Sequence, residues 1–91
     1  MDKKDIELGM FVSVIQNTSS LSKNRAKVKR LGKVVGIYSN YANLLLFESD
    51  LSILYGPEHG PKNIKIKRKL YNESFRFSEI SKIDGDVSYE R

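Results

Sequence analysis

In the stretch KNIKIKRKLYNESFRFSEI, residues 62 to 80, Lys65, Lys67 and Lys69 take every second position while Ile64, Ile66 and Leu70 take most of the places between them. Successive strand side chains project to opposite faces, so this spacing predicts a strand with one buried apolar face and one positive face. Strand-forming side chains also predict a strand over 10 to 15, MFVSVI, entered from the turn residue Gly9, and another over 33 to 38, KVVGIY, after Gly32. The asparagines of YSNYAN, 38 to 43, tolerate turn conformations, and LLLFE, 44 to 48, returns the chain, which makes a hairpin. Gly36, inside the second strand, marks a bulge or sharp bend of the kind that lets a small sheet curl.

A second hairpin is predicted from 63 to 70 and 74 to 77 around YNE, with Phe75 and Phe77 on one face and Arg76 on the other. FSEISKI, 77 to 83, forms one helical turn, with Ser78 as N-cap and Glu79 near the positive end of the dipole; DVSY, 86 to 89, adds a short last strand. In SKNRAKVKR, 22 to 30, Arg25, Lys27 and Lys29 alternate with Ala26 and Val28, an edge strand or an ordered loop that presents cations on one side. No window sustains a three-to-four-residue apolar recurrence for ten residues, so the expected class is all-β. The whole chain, 1 to 91, reads as one small barrel domain, with loops at about 16 to 31 and 55 to 62.

Five short strands bounded by glycines, with one helical turn near the C-terminal strand, look like a five-stranded SH3-like barrel. ELGMFVSV followed by LGKVVGIY and NLLLFE, residues 7 to 48, resembles the KOW motif region, in which a Gly-apolar-Val strand precedes a Gly-Lys-Val strand and a returning apolar strand. The closing YNESFRFSEISKI, 71 to 83, is similar to the last part of such barrels. Residues 16 to 31 form a longer, glycine-free insertion where the family has a short link. The resemblance implies a non-enzymatic protein that binds RNA or proteins, often in transcription or translation.

Ninety-one residues suffice for a single modest core, burying a little more than ~60% of the unfolded surface. With 40% hydrophobic residues and two prolines the chain lies in the globular range. It has no cysteine, which rules out disulfides and thiolate metal sites and fits the cytoplasm. The opening MDKKDIELGMF lacks the apolar stretch of a secretory signal, and LLLF falls far short of the ~20 residues that span a bilayer, so a soluble protein with no membrane partner is expected. Asn17 and Asn72 match the glycosylation pattern by chance. The single histidine, His59, sits in a Gly-Pro loop; there is no phosphate-binding loop, and DGD at 84 to 86 reads as a turn. Neither catalysis nor a metal or other cofactor is expected.

Net charge is +5, but between Ser20 and Leu70 eleven Lys or Arg face three acids, so the middle carries +8 and the ends together −3. Concentrated positive charge attracts polyanions, which puts nucleic acid first among partners and an acidic protein surface second; the plain alternative is that the lysines keep a small domain soluble. The candidate nucleic-acid-binding residues are Arg25, Lys27, Lys29, Arg30, Lys33, Lys62, Lys65, Lys67, Lys69 and Arg76, with Tyr38 and Tyr41 at the hairpin tip placed to stack on unpaired bases or else to pack on the barrel. Two further readings remain open. One is a protein-interaction module or inhibitor, such as a phage or mobile element encodes, that offers a sheet edge and a lysine row to an acidic partner. The other is a self-associating protein that sequesters a small phosphate ligand between cationic edges.

Overall fold

The computed structural model describes residues 1–18, 26–51, 63–83 and 85–89, with the backbone alone at 17, 18, 26 and 27. The described residues are mostly β, in a single six-stranded, curled half-barrel sheet. Its strands are β1 (Phe11–Thr18), β2 (Ala26–Ile37), β3 (Tyr41–Ser49), β4 (Asn63–Arg76), β5 (Ile80–Lys82) and β6 (Asp86–Tyr89), with 3-10 turns at Lys3–Asp5 and Phe77–Glu79. Their order across the sheet is β5-β1-β2-β3-β4-β6, antiparallel except that β6 runs parallel to β4.

The topology forces the curl. In a flat sheet the edge strands β5 and β6 would stand ~24 Å apart, five spacings of ~4.8 Å. Yet only residues 83 to 85 join them, and the four Cα steps from Lys82 to Asp86 reach at most ~14 Å. Curling also lets Gln16 of β1 donate a hydrogen bond from Nε2 to the Tyr71 hydroxyl of β4, across the two strands between. Gly36 stands at a register shift between β2 and β3, a bulge as its place in the sequence predicts. Gly9 turns the chain into β1 with φ +85°, and its N–H donates to the Val34 carbonyl at 2.8 Å.

Alternation sorts the core onto the two faces of β3. Leu44 and Leu46 join Val12, Val14, Val34 and Phe75 on the concave inner face, where Ile6, Ile80 and half-buried Phe77 and Leu70 complete the cluster. Phe47, with half-buried Leu45, joins Leu31, Leu51, Ile64 and Ile66 on the outer face. That is why LLLF is apolar without a break.

Several expectations are corrected. Among the described residues the sheet has six strands, not five, with DVSY as β6. β1 runs on to Thr18 and β2 begins at Ala26, so much of the loop expected at 16 to 31 is paired strand, and the 22 to 30 segment is strand from Ala26 onward. No hairpin interrupts residues 63 to 77: β4 runs unbroken through YNE, because β3 pairs with it along both halves. Ser78 does not cap the 3-10 turn; it lies within the turn, and Glu79 Oε1 accepts from the Arg76 N–H at 2.9 Å. The expected loop at 55 to 62 and His59 lie outside the described residues, as does Asp84 of the DGD turn.

Candidate functional site

The hairpin between β2 and β3 places Tyr38 and Tyr41 at its tip, closed by the Tyr38 N–H donating to the Tyr41 carbonyl at 2.9 Å. The two rings stack with centroids 4.8 Å apart and planes 22° from parallel. Both stay open to solvent, 49% and 39% exposed. Gly36 makes the stack possible: a Cβ there would stand 3.1 Å from Tyr38 Cε2 and 3.2 Å from its hydroxyl, so only a glycine lets the ring lie against the backbone.

Cross-strand partners share a face, so the register lays out the surface row by row. Tyr41 stands opposite Arg76 on β4. One row on, Asn43 lies between Gly36 and Ser74; the next row runs Phe11, Lys33, Leu45, Asn72; the next includes Leu31, Phe47 and Lys69. Within it a chain of polar groups is already bonded: Asn72 Nδ2 donates to Asn43 Oδ1 at 3.3 Å, and Asn43 Nδ2 donates to Ser74 Oγ at 3.4 Å. Lys33 holds its ammonium 5.8 Å from the centre of the Phe11 ring, a cation–π contact that keeps it at the surface of the sheet. From Arg76 to Lys69 the face extends six β3 residues, roughly 20 Å.

The outer face thus brings together Lys33, Tyr38, Tyr41, Lys69 and Arg76, with Lys29 farther along β2 opposite Ile15. Among the described candidates it does not take Arg30, Lys65 or Lys67. Arg30, opposite Val14, lies on the inner face, where its Nε donates to Gln16 Oε1 at 3.3 Å. The expected common face for Lys65, Lys67 and Lys69 is broken by two register shifts in the β3–β4 pairing. Ile64 and Ile66 are buried and Lys65 points away from them, Lys67 occupies the bulge, and Lys69 stands on the outer face opposite Phe47. Leu70, expected beside Ile64 and Ile66, packs instead into the inner cluster. Arg25 and Lys62 lie outside the described residues, and Lys27 is described by its backbone alone, paired with Asn17.

Among the described residues the only ion pair joins Arg68 to Glu48; Lys69 and Arg76 are exposed, and Lys29 and Lys33 half-buried. No cluster of three metal-ligating side chains occurs among them, and no helix there is long and apolar enough to cross a membrane. Asn43, Asn72 and Ser74 are the members of this face that sequence reasoning missed. Their signal is weak, a polar residue on a strand, until the register sets them side by side. No family model matches the chain, and neither the curated proteins nor the solved structures provide a match.

Proposed function

We propose that this is a non-enzymatic nucleic-acid-binding domain that holds single-stranded RNA or DNA on the outer face of β2, β3 and β4. The observation that carries the reading is the exposed tyrosine stack lying on the same face as Lys33, Lys69 and Arg76. Stacking on an aromatic platform is open to any unpaired base, while the cations neutralise backbone phosphates without reading sequence. A pair of rings held parallel to each other and open to solvent suits the flat face of a base better than the curved surface of a protein. The finer fold reading follows the same line: the order β5-β1-β2-β3-β4, with a 3-10 turn leading into β5, supports an SH3-like barrel of the KOW kind extended by β6. That kinship favours a role in transcription or translation, and a chain without cysteine suits the cytoplasm.

The test is an anisotropy titration of an unstructured RNA octamer at two salt concentrations. Neutralising three phosphates of a single strand gives a log–log salt slope of about −2, so a fourfold rise in salt weakens binding about 20-fold. Absence of binding to both RNA and DNA at low salt ends the reading.

A second reading, an inhibitor or adaptor that captures a protein strand, rests on one observation. β5 pairs only with Val12–Val14, so among the described residues 15 to 18 of β1 have no partner strand on that side. Recovery of one stoichiometric protein partner after nuclease treatment would favour it.

A further inference from the structure

Beside the tyrosine stack and Lys33, Asn43, Ser74 and Asn72 form an uncharged strip on the outer face whose hydrogen-bonding groups are partly spent on one another. Asn43 uses its amide oxygen to accept from Asn72 and its amide nitrogen to donate to Ser74. This chain fixes which end of each amide points where. Asn72 gives one Nδ2–H to Asn43 and is left with the second Nδ2–H and the whole of Oδ1, a donor and an acceptor side by side on an exposed side chain. Ser74 accepts with Oγ and keeps its own O–H. The strip is flanked by Leu45, half-buried and apolar, directly opposite Asn72.

A phosphate oxygen accepts only, so it could use the free donors of Asn72 and Ser74 but would leave Asn72 Oδ1 without a partner. A base edge with a donor beside an acceptor fits it. We propose, resting on the single-strand reading above, that Asn72, held by Asn43, is a specificity-determining residue that reads adenine. Asn72 Oδ1 accepts from the N6 amino group while the remaining Nδ2–H donates to N7 or N1. Adenine offers the complementary donor–acceptor pair on both its Watson–Crick and Hoogsteen edges, whereas cytosine, guanine, thymine and uracil offer one on the Watson–Crick edge alone. Its two-ring face also covers more of an aromatic platform than a pyrimidine does. Asn43 acts through Asn72 and is a positioning residue.

The experiment uses thymine octamers with one central base, either adenine or unsubstituted purine. The two bases have the same ring system, but purine has no amino group and so no donor beside its ring nitrogens, and the comparison largely cancels stacking. Wild-type protein is expected to bind the adenine octamer about fivefold more tightly, the low end for a bidentate base contact because Asn72 is exposed. In Asn72→Ala the ratio falls to about one, and Asn43→Ala lowers the ratio part of the way. Lys33→Ala weakens all octamers equally and leaves the ratio intact. A wild-type ratio of one, or a ratio that survives Asn72→Ala, overturns the inference and leaves the single-strand reading standing. Binding to no octamer at all sinks both.

Discussion

Replacing Gly36 by alanine separates the binding platform from the stability of the sheet. The added Cβ would stand 3.1 Å from Tyr38 Cε2, 3.2 Å from the hydroxyl and 3.4 Å from Cζ. Ordinary contact between carbons begins at about 3.5 Å, so the ring has to lift by roughly half an ångström or swing aside. It can do so cheaply, since about half of Tyr38 is exposed, and alanine offsets the strain by giving back roughly 0.5–1 kcal/mol of the entropy cost of a strand glycine. Net stability should therefore stay within about 0.5 kcal/mol of wild type, a Tm change of roughly 4 °C or less. Binding should suffer more. Base stacking on an aromatic ring is worth ~1–3 kcal/mol, and disturbing the 4.8 Å Tyr38–Tyr41 stack should cost about half of a middling value, near 1 kcal/mol, or roughly fivefold in affinity. Thermal melts by circular dichroism and anisotropy with an unstructured octamer read the two effects separately. Unchanged affinity in a folded Gly36→Ala protein would refute the platform, and a melt lowered by 10 °C would refute the view that the ring has room to move.

Phe47→Ala removes the largest fully buried side chain among the described residues and should cost about 3–5 kcal/mol, lowering the Tm by at least ~12 °C in a domain of this size, as measured by thermal melt. Gly9→Ala meets no atom within 4 Å but forces alanine to φ +85°, so a loss of about 1 kcal/mol from backbone strain alone is expected in a urea titration. Arg68→Ala breaks the exposed pair with Glu48 and should leave the urea midpoint nearly unchanged, within about 0.5 kcal/mol. Changing Lys33, Lys69 and Arg76 together to glutamate should abolish binding in a gel shift, whereas Lys65→Glu with Lys67→Glu should weaken it severalfold at most, through long-range attraction that salt removes.

Much of the architecture was legible in the order of residue types. MFVSVI, KVVGIY and LLLFE form strands because branched, aromatic and apolar side chains fill consecutive positions there, and Gly9 and Gly36 mark a turn and a bulge that their missing side chains permit. What escaped was set by pairing rather than by local preference. Asn72 and Glu73 of YNE are poor in strand propensity, yet they are held extended because they pair with Leu45 and Leu44 of β3. The lysines of β4 alternate in sequence, but each register shift adds a residue and turns the later ones to the other face, which no period-two pattern reveals. The same holds for Asn43, Asn72 and Ser74: far apart along the chain, they become neighbours only through the register of β3 on β4. Tyr38 and Tyr41, three residues apart at a turn, needed no such information.

The most direct measurement is a two-dimensional amide NMR titration of isotopically labelled protein with a short single-stranded RNA, following both backbone signals and the side-chain NH2 groups of asparagine. The account predicts that the largest changes fall on Gly36, Tyr38, Tyr41, Asn43, Asn72 and Ser74, with little movement at Arg30, Lys65 or the β5 edge. Changes centred on those latter positions, or none at saturating RNA, would contradict it.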